Sequence, residues 1–212
     1  MLLEACRSFN RITLATSFGV EDQVLAHLAS LHAPQIELFT LDTGRLHPET
    51  LQLIAATETF LKRRITVYVP EAAALESFVR FNGINGFYES IAQRQQCCEA
   101  RKLGPLKRAL HGKDAWVTGL RRAQSTTRTH LAAIAFDTQF NLTKISPLLD
   151  WSEDDVWAYA REQGIPTNPL HEQGFRSIGC APCTRATAAG EDVRAGRWWW
   201  ESAEHKECGL HR

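Results

Sequence analysis

Short β-branched or apolar runs alternate with helical patterns along this chain, and that alternation restricts it to one class of fold. The runs are Ile12-Thr13-Leu14-Ala15, Ile36-Glu37-Leu38-Phe39, Ile65-Thr66-Val67-Tyr68-Val69, Ala115-Trp116-Val117-Thr118 and Leu142-Thr143-Lys144-Ile145. Strands separated by helices belong to an α/β fold, in which helices cover both faces of a mostly parallel, doubly wound sheet. The first helix is expected over residues 21–31, with Val24, Leu25, Leu28 and Leu31 as its apolar stripe. The next starts at Pro48, a good first helical residue, and is expected to bury Leu51, Ile54, Ala55 and Leu61. A later helix is capped by Ser152, with Asp155 at the capping-box position and Trp151 stapled onto Val156, and ends at Gly164 and Pro166.

With 212 residues, 44% of them hydrophobic, the chain is expected to form a single domain with a real core. Residues 1–173 read as an α/β core carrying Cys97 and Cys98, and residues 174–212 as an irregular C-terminal segment of the same domain. Gly, Pro, Cys, Arg and Trp crowd together in that segment, where Trp198 to Trp200 are expected to anchor it to the core. Lys plus Arg and Asp plus Glu both number 24, so no overall field draws the protein to nucleic acid or to an anionic membrane. An anionic ligand must then be met by a local basic cluster. The N-terminus lacks the apolar core of a signal peptide and no stretch reaches the length of a membrane span, so the cytoplasm is the expected compartment. Thiols there stay reduced, and six cysteines point to metal binding or redox chemistry instead of a disulfide framework.

Three polar segments follow strands. Thr16-Ser17-Phe18-Gly19-Val20-Glu21-Asp22 opens the first helix, where backbone N–H groups and the helix dipole favour an anion. The same residues also fit a plain helix cap with Glu21 and Asp22 complementing the dipole, and the sequence leaves both readings open. Asp42-Thr43-Gly44-Arg45 follows the second run and offers a second wall of the cleft beyond the strand ends, although Asp42 also suits an ordinary turn. Thr118-Gly119-Leu120-Arg121-Arg122-Ala123-Gln124-Ser125 adds paired guanidinium groups whose fork matches phosphate or sulfate, although surface arginines are common.

The cysteines are more specific. Cys97 and Cys98 are adjacent on a helical segment, and Cys180-Ala181-Pro182-Cys183 carries the two-residue gap of thiolate ligands. Spacing alone does not separate Zn from iron, although adjacent cysteines suit a cluster better than a tetrahedral Zn ribbon. Lys102 follows Cys98 by four residues, which on a helix brings the two to about 5–6 Å at Cβ. Lys102, Arg194 and Arg197 could be an anion's partners, but without further context they read as solvated charges. Cys208, beside Lys206, His205 and His211, is the kind of thiol whose pKa falls and which reacts. Cys6 reads as a bystander.

In combination, Ser17 to Asp22, Leu41 to Arg45, Cys97-Cys98, Cys180 to Cys183 and the ending from Arg197-Trp198-Trp199-Trp200 to Glu207-Cys208-Gly209-Leu210-His211 closely resemble the bacterial assimilatory adenylyl-sulfate (APS) reductases. The resemblance covers nearly the whole chain, which starts later than members with a longer N-terminal segment, and the first motif also resembles the PP-loop. It implies a PP-loop, adenine nucleotide alpha-hydrolase-like fold. It implies reduction of APS to sulfite and AMP through an S-sulfocysteine on Cys208, with thioredoxin or a similar dithiol protein as donor. By the same resemblance Cys97, Cys98, Cys180 and Cys183 would hold one 4Fe-4S cluster, Lys102, Arg194 and Arg197 would contact the sulfate end, and Ser17, Phe18, Gly19, Glu21, Asp22, Asp42, Thr43, Gly44 and Arg121 would hold the nucleotide. Arg94 stands where members often carry a histidine and is left outside the site. The tail beyond the tryptophans would swing Cys208 between substrate and reductant. A homo-oligomer is allowed but not demanded. Rival readings are a reductase of the 3′-phosphorylated substrate PAPS or of both nucleotides, a PP-loop ATP-dependent ligase or sulfurtransferase, and a Zn-stapled binding module.

Overall fold

The computed structural model describes residues 1–124 and 130–202. Its six strands, β1 (Ile12–Thr16), β2 (Glu37–Leu41), β3 (Thr66–Tyr68), β4 (Ala115–Val117), β5 (Ile134–Asp137) and β6 (Leu142–Ile145), form one sheet in the order β3-β2-β1-β4-β6-β5. Four neighbouring pairs are parallel, and β5 alone runs antiparallel, along β6. The chain winds outward from β1 through β2 to β3, then returns to β4 on the other side of β1. The gap between the carboxyl ends of β1 and β4 is therefore the switch point at which open α/β sheets bind ligands.

Among the described residues, seven α-helices flank the sheet: α1 (Leu2–Ser8), α2 (Val20–His32), α3 (Pro48–Leu61), α4 (Ala72–Asn82), α5 (Ile91–Cys98), α6 (Gly104–Leu110) and α7 (Glu153–Glu162). Successive strand residues face opposite ways, and each face carries its own core. Leu14, Leu38, Val117 and Ile145 pack on one side with Val24 and Leu25 of α2 and Val156 of α7. Phe39, Trp116 and Leu142 pack on the other with Leu106 and Leu110 of α6. Truncating a fully buried leucine such as Leu25 to alanine costs about 2–5 kcal/mol in sites of this kind.

The expected capping box on α7 is present, with Asp155 N donating to Ser152 Oγ at 3.0 Å and Ser152 N to Asp155 Oδ2 at 2.9 Å. Gly164, at φ +60, ends the helix, and Ile165 N reaches back to Ala160 O at 2.9 Å to complete a Schellman motif. Two expected stripes are corrected. On α2, Leu31 is 57% exposed and the buried face includes Gln23, Ala26 and Ala29. On α3, Leu51 and Ala55 are exposed, Ile54 and Leu61 are half-buried, and the buried residues are Thr50, Leu53 and Thr57. Hydrogen bonds account for the change: Gln23 Nε2 donates to Thr57 Oγ1 at 2.7 Å, and Asn168 Nδ2 to Thr50 Oγ1 at 2.9 Å. A satisfied threonine is as buriable as an apolar residue, and hydrophobic periodicity does not see it. Strand β5, with Ile134 and Phe136 outward on the sheet edge, also lies outside the expected set. No described helix is long and apolar enough to cross a membrane.

Candidate active site

A cavity of about 380 Å³ opens at the switch point. Its floor is the carboxyl ends of β1, β2 and β4, and its far wall is the chain around residues 176–180 and 193–197. At the end of β1 the chain turns through Phe18, fully buried at φ +62, whose N donates to Thr16 Oγ1 at 3.1 Å. Gly19 is the N-cap of α2, and Ser17 does not cap it. Instead Asp22 reaches back and accepts from Ser17 N and from Ser17 Oγ, both at 2.6 Å. Gly119, from the loop after β4, also donates its N–H to Asp22. A Cβ on Gly119 would stand 2.3 Å from Asp22 Oδ1, so only glycine lets these two loops meet. Asp22 borders the cavity yet lies within the protein, and burial raises its pKa to about 6 against the pull of its hydrogen bonds.

Glu21 Oε1 accepts from Arg121 Nε at 2.9 Å, Arg121 Nη2 at 2.7 Å and Gln124 Nε2 at 3.0 Å. Arg121 therefore lines the cavity with its charge already met by a carboxylate. Arg122 turns to Asp150 at 2.7 Å. In the loop after β2, Asp42 Oδ1 accepts from Gly44 N at 2.8 Å in an Asx turn, and Gly44 sits at φ +66. Thr43 lines the cavity, whereas Asp42 and Gly44 are not among the lining residues. The loop clamps the cysteine segment: Ala181 N donates to Arg45 O at 2.8 Å, and Thr43 Oγ1 lies 3.2 Å from Cys180 Sγ.

Cys97, Cys98, Cys180 and Cys183 line one small pocket with Phe87, Trp198 and Lys102. Helices α5 and α6 are joined by a π-helical turn, Glu99–Leu103, which holds Arg101 and Lys102. Such a turn re-aims side chains at functional sites, and Lys102 here lines both the cysteine pocket and the large cavity. Cations and hydroxyls surround the sulfurs: Arg101 bonds to Cys97, Arg94 to Cys98 and Thr43 to Cys180. Burial and the nearby Cys180 push the Cys183 thiol up to about 12, opposed by Lys102 and Arg197. Among the described residues, no three of His, Cys, Asp and Glu gather in a way that would hold a single metal ion. A cluster spreads its four thiolates over four irons, so its sulfurs stand farther apart than ligands of one ion do. Among the described residues, Arg101 Nε, Arg197 Nε and Trp198 Nε1 are buried without a hydrogen-bond acceptor. Four cysteines with N–H donors among the pocket's residues are a donor set that a 4Fe-4S cluster could use.

Arg194 and Arg197 line the far wall of the large cavity. Arg197 is 7% exposed, donates from Nη1 to Ile178 O at 3.1 Å and lies 4.8 Å over the Trp198 ring. A Cβ on Gly179 would come within 2.4 Å of its Nη2, so that glycine is what admits the guanidinium. Two wall residues escaped the sequence reading. Arg176 lines the cavity while paired to Glu153 at 2.9 Å, and burial lowers the pKa of His171, whose Nδ1 lies 2.9 Å from Phe175 O. Neither sits in a motif, and only their contacts mark them. Trp198 is buried, Trp200 half-buried and Trp199 41% exposed. Cys208, with Lys206, His205 and His211, lies outside the described residues, as does Ser125.

Comparison with known proteins agrees with this geometry. Residues 11–186 match the phosphoadenosine phosphosulfate reductase domain. The adenosine 5′-phosphosulfate reductase of Allochromatium vinosum is 55% identical over 212 residues, covering 100% of this chain and 83% of that protein. That of Agrobacterium fabrum is 48% identical over 201 residues, covering 95% and 77%. Among solved structures, the phosphoadenylyl-sulfate reductase of Candida auris in a phosphate complex superposes with a TM-score of 0.74 at 26% identity, covering 87% of this chain and 90% of that one. An FMN adenylyltransferase of Candida glabrata shares the fold at a TM-score of 0.56 and 18% identity, covering 89% of this chain and 63% of that one.

Proposed function

Since the chain belongs to the phosphoadenosine phosphosulfate reductase domain family, we propose that it reduces adenosine 5′-phosphosulfate to sulfite and AMP. One observation carries the reading: Lys102, Arg194 and Arg197 converge on the switch-point cavity, and Lys102 is shared with the four-cysteine pocket beside it. The nucleotide would occupy the strand-end loops, with its sulfate toward these three cations. The family membership and the cysteine chemistry fit a cytoplasmic enzyme.

In the first half-reaction the thiolate of Cys208 attacks the sulfate sulfur. A sulfur–sulfur bond forms, the sulfur–oxygen bond to the nucleotide breaks, and its electron pair leaves with AMP, whose phosphate spreads the charge. The cations neutralise the sulfate oxygens that would otherwise repel the incoming thiolate, which is transition-state stabilisation by fixed charge. In the second, a thiolate of a dithiol protein such as thioredoxin attacks the Cys208 sulfur and releases sulfite with the electron pair of the sulfur–sulfur bond. Its second thiol then frees Cys208, so the dithiol supplies both electrons and ends as a disulfide. Cys97, Cys98, Cys180 and Cys183 would hold one 4Fe-4S cluster, which supplies local electrostatic tuning when bound.

Anaerobic purification with iron and sulfide analysis tests the cluster, and a colourless protein that still makes sulfite overturns it. Cys208→Ser should keep iron and nucleotide binding while sulfite release drops by at least about a thousandfold, as loss of a nucleophile does. Retained turnover rejects Cys208. Rates on the two nucleotides, with and without the 3′-phosphate, separate this reading from PAPS reduction, which the Candida auris neighbour keeps in view.

A further inference from the structure

Arg94 and Glu201 form a bidentate ion pair away from the cavity, and the mechanism above gives it no part. Arg94 Nε donates to Glu201 Oε1 at 2.9 Å and Nη2 to Oε2 at 2.7 Å, with the two side chains 1% and 3% exposed. Arg94 stands on α5 one turn before the cysteine pair, and Glu201 stands next to the end of the described chain. A buried pair of this kind seldom adds net stability over a well-packed apolar pair, because both charges give up their water. What a two-pronged guanidinium–carboxylate contact does add is orientation, since it fixes both position and angle.

The surrounding geometry says what is oriented. The Arg94 guanidinium lies 4.8 Å over the ring of Trp198, and Arg197 lies 4.8 Å over the same ring. Trp198 holds φ +41, a left-handed conformation that a tryptophan keeps only when its surroundings impose it. Its N donates to Cys183 O at 3.0 Å, and Glu201 N donates to Trp198 O at 2.9 Å. Arg94 also bonds to Cys98. A continuous set of contacts thus runs from a cysteine of the pocket, through Arg94, to Glu201, one residue before the end of the described chain. Cys208 lies seven positions after Glu201 in the sequence, and seven steps of chain span at most about 25 Å whatever their arrangement. The place where Glu201 is held therefore decides which part of the molecule Cys208 can reach.

We propose that the Arg94–Glu201 pair is a positioning latch that seats the root of the C-terminal segment on the cysteine-bearing helix, so that filling of the cysteine pocket and delivery of Cys208 are coupled. This rests on Cys208 being the attacking thiol, yet the latch has a readout of its own. Amide hydrogen exchange across residues 198–202 should speed up at least tenfold in Glu201→Gln and in protein stripped of iron, and less in Glu201→Asp, which keeps the charge. In single turnover without reductant, Glu201→Gln should form the Cys208 S-sulfonate at least fivefold more slowly by intact mass. Its iron content and its affinity for AMP should stay within twofold of the parent protein. Unchanged exchange in both Glu201→Gln and the stripped protein overturns the latch. So does a parallel loss of iron, AMP affinity and transfer in Glu201→Asp as well as Glu201→Gln, which marks the pair as a general support. A parent protein that forms no S-sulfonate defeats the proposed reaction instead, and the exchange comparison still decides the latch.

Discussion

The floor and the far wall of the cavity meet charge in opposite ways. On the floor, at the strand ends, Glu21 and Arg121 are paired to each other, and Asp22 is held by Ser17 and Gly119. The wall nearer the cysteines brings in Lys102, Arg194 and Arg197, and among the described residues the buried donors Arg197 Nε and Trp198 Nε1 have no acceptor. One side is complete by itself and shapes the site. The other carries the cations that the proposed reading turns toward the sulfate. Charge on the floor should then be worth stability, and charge on the wall should be worth turnover.

The sharpest way to break this comparison is Lys102→Ala. Removing a fixed charge from a developing anion costs on the order of a hundredfold or more in kcat/KM, and urea unfolding should shift little. Equal losses of stability and turnover would erase the distinction. Glu21→Gln should do the reverse. It strands the buried Arg121 guanidinium, and breaking such a pair typically costs roughly 3 kcal/mol or more, read as a lower urea midpoint. Nucleotide affinity should fall less than that loss implies.

The smallest effect concerns pH. Asp22 sits at about 6 in the folded protein against a usual value near about 4 in an unfolded chain. Between those values the folded form holds a proton that the unfolded form has released. The contribution is therefore present below about pH 4 and lost as pH rises through about 6, where the charged carboxylate must stay buried. Urea midpoints measured between pH 4 and pH 7 should show that fall in the parent protein and a flatter profile in Asp22→Asn. An identical slope in both would mean that Asp22 is not the group responsible.

Much of this was legible from residue order. Five of the six strands, the Pro48 start, the capping box at Ser152 and the exit at Gly164 depend on neighbours a few positions away, and local chemistry settles them. The buried stripe of α3 was misread because its threonines are satisfied by Gln23 and Asn168, which are remote in sequence. Strand β5 was missed because an exposed edge strand needs no apolar alternation. In the site, the four cysteines stood out by type and spacing and the three cations only through the family resemblance, and the structure gathers them around two adjoining pockets. Asp42 and Gly44 were read as ligand contacts, but they turn the chain onto the cysteine segment.

Taken alone, the amino-acid order determines most of the elements and marks out the paired cysteines, because each is a matter of residue type and short-range spacing. Tertiary structure decides which charges are already spent. Glu21 and Arg121 are 100 positions apart, and Arg94 and Glu201 are 107 apart. Whether a guanidinium awaits a ligand or is matched by the protein depends on what the fold sets within 3 Å of it, since desolvated charge is governed by its nearest partner.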